Sequence, residues 1–181
     1  MSRQAIRQCA LAIRAVHRGE LELAEEHIAA AARLVGEARA ATEGHAEIRH
    51  AGFLADAEKE LVEAHLTLAY VCGRPAPSAE TLGAEPAPYL NGMCEAASEL
   101  RRSVLDRLRA GALDEAQALF TVMEEVYGLL VTIDYPDAIT GGLRRSTDAL
   151  RAVLERTRGD LTTAIVAARI EAAVEGRRPD A

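Results

Sequence analysis

Glu60 and Glu63 stand three residues apart, and Glu95 and Glu99 four apart, in stretches whose apolar residues recur at helical spacing. Side chains at those separations share a helix face, so each pair can present two carboxylates to one cation. Carboxylates gathered without Cys or His suit a hard ion such as Mg2+, Mn2+ or Ca2+. Mg2+ with carboxylates is the usual equipment for hydrolysing phosphodiesters, because the metal activates water and neutralises charge on the attacked phosphate. Asp56 falls in the same stripe as Glu60 and Glu63, beside the apolar face of its helix. Glu95 and Glu99 fall opposite the apolar stripe of theirs, a placement that suits solvated acids equally well.

The cations show a second pattern. Arg3, Arg7, Arg14 and Arg18 fall within a stripe of roughly 60° on one helix. Few acids precede Glu20, so these guanidiniums form a rail suited to phosphates, or a solvated face that pairs with acids elsewhere. Arg102 lies on the side of Glu95 and Glu99, where it balances them or holds a phosphate. Arg101 sits close to the apolar stripe, placed to snorkel or to pair with a buried acid.

Other chemistry is thinly supported. Glu47 and His50 make a single Glu-x-x-His, whereas a di-iron site needs two such pairs and two more glutamates. His65 reads as a hydrogen-bonded, half-buried residue. Cys9, Cys72 and Cys94 have no neighbouring base and read as small buried side chains. Thr140-Gly141-Gly142-Leu143 is too short for a phosphate-cradling loop.

The elements that must position these groups are helical. Nearly half of the 181 residues are apolar, yet aromatics make up 3% and Trp is absent. Ala and Leu carry the apolar fraction, and both favour helix. Helices are expected over residues 2–18 (with Ser2 as cap), 20–41, 46–72, 87–110, 113–132 and 137–175. Phe53 and Leu54 open the apolar face of the third. A Pro- and Gly-containing loop spans 73–88, and Gly141-Gly142 is expected to kink the last helix near its start. Leu150, Leu154, Thr157, Leu161, Ala164 and Ala168 make a heptad seam suited to a partner helix. The fold class is therefore all-α: one domain over residues 1–181, an antiparallel bundle of about six to seven helices with a long C-terminal helix. The residues from 176 onward read as a fraying tail.

The formal charge of −7, from 28 acidic and 21 basic residues, excludes a histone-like polycation. It leaves open a local basic patch, because nearby charges set phosphate attraction. Three scattered cysteines, no signal-peptide core and no apolar run approaching about 20 residues point to a cytoplasmic protein without a membrane span.

Four stretches, in order, resemble the translin/Trax family in its shorter prokaryotic form. They are Ile13-Arg14-Ala15-Val16-His17-Arg18-Gly19-Glu20, Glu60-Leu61-Val62-Glu63-Ala64, residues 89–100 opening Tyr89-Leu90-Asn91-Gly92, and Asp134-Tyr135-Pro136-Asp137 running on through Thr140-Gly141-Gly142 to Arg144-Arg145. The last is the most distinctive. The resemblance implies a bundle of about seven helices that assembles into a hollow homo-oligomer, an octamer or hexamer, with nucleic acid inside. Trax is the catalytic partner in a Mg2+-dependent endoribonuclease, and translin binds single-stranded RNA and DNA without the full acidic set. Glu60 and Glu63 match the two glutamates of the Trax site. Glu95 stands where Trax has a catalytic Asp, Glu99 matches a neighbouring family Glu, and Arg102 a family Arg. The added methylene of Glu95 keeps the carboxylate but moves a ligand.

The leading expectation is an endoribonuclease acting on single-stranded RNA, and binding single-stranded DNA as well. Glu60, Glu63 and Glu95 would hold Mg2+ or Mn2+ with Glu99 in support, and Arg3, Arg7, Arg14, Arg18 and Arg102 would hold phosphates. The alternatives are a non-catalytic nucleic-acid-binding oligomer like translin, and a helical scaffold whose charges are only solvated.

Overall fold

A computed structural model of the chain describes residues 1–49 and 51–175. His50, and with it half of the Glu47/His50 pair, lies outside the described residues, as does the tail from Gly176 onward. Every regular element among the described residues is helical: α1 (Ser2–Arg18), α2 (Leu21–Ala41), α3 (Ala46–Arg49), α4 (Phe53–Val71), α5 (Ala79–Leu82), α6 (Pro86–Arg109), α7 (Leu113–Leu130), α8 (Asp137–Thr140) and α9 (Leu143–Glu175). Six of these are substantial, and α9, at 33 residues, is the longest.

Four expectations about element boundaries shift. The helix expected over 46–72 is two, because Gly52 takes φ 92, outside the helical region, and α4 starts afresh after it. Phe53, at that new start, is exposed, and only Leu54 joins the core. The 73–88 loop contains the one-turn α5, capped by Ser78, whose hydroxyl accepts from the Thr81 amide. At Gly141 and Gly142 the chain breaks where a kink was expected: both take positive φ, 62° and 81°, which separates α8 from α9. The expected Ser2 cap falls inside α1, which Met1 caps.

Two apolar clusters share α4. One packs α1, α2 and α4 through Cys9, Ala12, Val16, Ile28 and Leu61. The other packs α4, α6, α7 and α9 through Leu66, Leu100, Met123, Leu150 and Leu161. Side-chain partners give the helix directions. Gln8 with His27, and Glu25 with Arg74 beside Arg39 with Glu58, make α2 antiparallel to α1 and α4. The segment 73–85 then returns along the bundle, so α6 runs parallel to α4, with Lys59 opposite Glu95 and Cys72 near Ser103. α7 reverses, and α9 runs beside α6, with Arg101 reaching Thr157 and Asp160. That acid is itself exposed, not buried.

The C-terminal end of the expected heptad seam is only partly covered by the described residues. Leu150, Leu154, Thr157 and Leu161 are buried, whereas Ala164 and Ala168 are half-buried and Val166, Ile170 and Val174 are exposed.

One buried polar residue ties α6 to the start of α9. Asn91 donates to the carbonyls of Ala87 (2.9 Å) and Thr140 (2.7 Å) and accepts from the Ser146 hydroxyl (2.9 Å). Asn91→Ala leaves these groups without that partner, at a cost of about 2 kcal/mol. Chemical denaturation should show a lowered midpoint with an unchanged slope.

Candidate metal centre and nucleic-acid interface

α4 and α6 approach each other closely at Gly92. A Cβ there would lie 2.6 Å from the Lys59 carbonyl oxygen and 2.8 Å from the Val62 Cβ. A bare backbone at this point lets the two helices touch. One turn further along α6, Glu95 then meets the acids of α4. Oxygens of Glu60, Glu63 and Glu95 all lie within 4.8 Å of one another, and all three residues are half-buried. The α4 acid pair thus converges with Glu95, which sits at a junction of helices while staying partly exposed; Glu99 lies outside the cluster. Asp56, expected in the same stripe, is exposed and stays outside the cluster.

Crowded carboxylates resist ionisation together. Burial, followed by the charges of Glu60, Glu95 and Glu99, pushes the Glu63 carboxyl up to about 8. A lysine that the sequence reading passed over answers part of this charge. Lys59 Nζ lies 2.7 Å from a Glu95 oxygen and 3.3 Å from a Glu60 oxygen. Burial alone would push its ammonium down, but the hydrogen bond and charge of Glu95, with Glu60 behind, hold it above the ordinary lysine range.

Glu99 has a different partner. His17, at the end of α1, is almost wholly buried and donates from Nε2 to a Glu99 oxygen at 2.5 Å. That hydrogen bond outweighs burial and, with the charges of His17 and Arg102, holds the Glu99 carboxyl below its usual range. Among the described residues, the buried His17 Nδ1 has no hydrogen-bonding partner. Nothing in the sequence but its place beside the arginine stripe marked His17. Cys9 lies beneath the acids: burial, then the charges of Glu60 and Glu63, push its thiol up to about 12. The Cys94 thiol is also pushed up to about 12, by burial first and then by the charge of Glu95. Neither is a nucleophile at neutral pH.

Arg3, Arg7, Arg14 and Arg18 are all exposed along α1, and Arg102 is exposed on α6. Arg18 pairs with Glu20 at 2.8 Å, while Arg3, Arg7, Arg14 and Arg102 have no ion-pair partner among the described residues. Arg14 precedes His17 by one turn, so the rail borders the side of α1 that reaches Glu99. Arg145, not singled out from the sequence, is exposed at the start of α9 and lines a groove with Glu95, Ser98 and Ser146. His65 is half-buried and lowered by burial, as a structural histidine would be.

The donor set fits a hard divalent cation. It offers only carboxylate oxygens, close enough to share one ion, and a lysine ammonium is already bonded to two of them. No helix among the described residues is long and apolar enough to cross a membrane.

Comparison with known proteins supports kinship. No family model matches the chain. An uncharacterised protein of Methanocaldococcus jannaschii is 33% identical over 115 residues, 63% of this chain, which spans about half (51%) of that relative's length. The crystal structure of AfC3PO is 32% identical with a TM-score of 0.84, over 92% of this chain and 86% of that one. AfC3PO in complex with duplex RNA is 31% identical at a TM-score of 0.81, with the same coverage. Apo-NeC3PO, 22% identical at a TM-score of 0.77 over 90% of this chain and 87% of its own, shares the fold.

Proposed function

The chain belongs to the translin/Trax family, and from that premise we propose that it is a divalent-metal-dependent endoribonuclease. The convergence of Glu60, Glu63 and Glu95 carries this reading. These three side chains would hold Mg2+ or Mn2+. Bound there, the ion supplies Lewis acidity toward the scissile phosphate and makes a nearby water more acidic. Glu99, kept ionised and fixed by His17, accepts a hydrogen bond from the attacking water and orients it. Arg14, Arg102 and Arg145 hold flanking phosphates, with Arg3, Arg7 and Arg18 extending the track along α1. RNA is the substrate class. AfC3PO was solved with duplex RNA, so duplex as well as single-stranded RNA belongs in the assay. Aromatics are too few for strong stacking on bases, so the grip is electrostatic.

The exposed Val166, Ile170 and Val174 support a homo-oligomer, since apolar side chains four residues apart on a long helix are suited to a second copy. Light scattering should give a closed assembly such as an octamer or hexamer; a stable monomer would overturn this part of the reading.

A labelled RNA incubated with the protein should be cut with Mg2+ or Mn2+ and left whole with EDTA. Binding without cutting under every metal condition would instead favour the second reading, a non-catalytic nucleic-acid-binding oligomer. Lys59 on the acids and the longer Glu95 side chain are the observations on its side. For the arginine rail, Arg14→Ala should weaken RNA binding similarly across sequences. It should also reduce the slope of log affinity against log salt by about one unit.

A further inference from the structure

Lys59 is not an ordinary surface partner of an acid. Its ammonium bridges two of the three carboxylates that would ligate the metal, 2.7 Å from Glu95 and 3.3 Å from Glu60. One pairing lies within α4, which holds both Lys59 and Glu60, and the shorter one crosses to Glu95 of α6. The position is held from behind, because the Lys59 carbonyl is the atom against which Gly92 of α6 packs. The backbone at residue 59 therefore cannot move away from α6 without opening the helix contact, whereas the four-carbon side chain can swing. Lys59 is about a quarter exposed, so water is within reach when it leaves.

An ammonium and a divalent ion compete for these oxygens. Mg2+ needs them at about 2.0–2.1 Å in near-octahedral array, and a carboxylate lone pair directed at N–H is not free for the metal. We infer that Lys59 is the resident cation of the acidic site, a tethered competitor that the metal must displace before the site is complete. Its consequence is a raised metal threshold: the site stays closed and charge-compensated at low divalent-ion concentration and opens as concentration rises. The inference rests on reading the three glutamates as a metal centre, and the test separates the two.

Mn2+ is titrated into metal-free protein in the absence of RNA, and free Mn2+ is followed by electron paramagnetic resonance. Lys59→Met keeps the length of the stem and removes the charge; Lys59→Gln is a second, polar replacement. Losing one charge-assisted contact to each carboxylate should tighten Mn2+ binding about 10- to 100-fold. Lys59→Arg, which keeps a cation, should stay near wild type. Arg102→Gln removes the same charge from a residue that pairs with none of the triad, so it should tighten binding less than about threefold at ordinary salt. Equal affinity in wild type, Lys59→Met and Lys59→Gln, with binding still lost in Glu95→Gln, would overturn the gate and leave the metal centre standing. An Arg102→Gln gain as large as that of Lys59→Met would overturn it too, because general charge would then account for the effect. Absence of Mn2+ binding in both wild type and Lys59→Met would overturn the metal reading and the gate together.

Discussion

Glu63→Gln should abolish metal-dependent RNA cleavage and yet make the metal-free protein more stable in mild alkali. The two effects have one cause. Glu63 shares a half-buried space with Glu60 and Glu95, which pushes its carboxyl up to about 8. A carboxyl raised this far binds a proton in the folded state over a range where the unfolded chain does not. Its contribution to stability is therefore full below the unfolded value near pH 4.5 and is lost as pH climbs through about 8. The full shift would be worth several kcal/mol, and screening of a half-exposed cluster reduces it to about 2 kcal/mol. Gln mimics the protonated acid, so the variant should be modestly more stable than the wild type at pH 6, where part of the contribution is already lost, and clearly more stable at pH 9. Adding Mn2+ reverses the order. A ligand that binds only the folded state stabilises by about 2.7 kcal/mol at one hundred times its dissociation constant. The wild type should show this gain and Glu63→Gln only a small fraction of it. Thermal denaturation at the two pH values, with and without Mn2+, checks all four combinations; a wild type whose stability rises from pH 6 to pH 9 relative to the variant would contradict the shared-proton picture.

Gly92→Ala should have the other large effect, although residue 92 touches neither metal nor RNA. The new methyl carbon would stand 2.6 Å from the Lys59 carbonyl oxygen and 2.9 Å from a Val62 methyl. Neither can yield cheaply, since one is backbone and the other a β-branched side chain buried in the core. The helices must part by roughly 1 Å, at a cost of about 1–3 kcal/mol. The damage to function should be greater in proportion. Separating α4 from α6 separates Glu60 and Glu63 from Glu95, and a misplacement of about 1 Å in a catalytic constellation costs about 100-fold in rate. Mn2+ affinity and cleavage should therefore both collapse at temperatures where circular dichroism still reports a folded bundle. Asn91→Ala, next to it in sequence, should lower stability comparably with a far smaller loss of cleavage, because it anchors α9 and not the acid triad.

How much of this was legible in the sequence depended on the range of the interaction. The helices and the pairing of Glu60 with Glu63 follow from local periodicity. The arginine stripe on α1 is exposed as its spacing requires. The position of Glu95 was not legible in the same way. Helical phase put it opposite the apolar stripe of α6, but α6 is packed by α4, α7 and α9 together, so the face taken as free is partly covered. The parallel run of α6 beside α4 depends on the return path through residues 73–85, which composition marks only as a loop. Lys59 had a local signal: a lone cation four residues before Glu63, between Glu58 and Glu60 in sequence and at the edge of the acidic stripe. His17 had almost none, since its partner lies 82 residues away. Family resemblance supplied what periodicity could not, the matching of Glu95 to the two acids of α4, and Gly92 supplies its physical reason.

These relations share one claim, that Glu60, Glu63 and Glu95 form a single divalent-metal site. The most direct test is anomalous diffraction from crystals of the protein soaked in Mn2+. One strong peak is expected between the three carboxylates, with the Lys59 ammonium moved off Glu95 and Glu60. Strong peaks only elsewhere on the molecule, with Lys59 still bridging the two glutamates at saturating Mn2+, would contradict it.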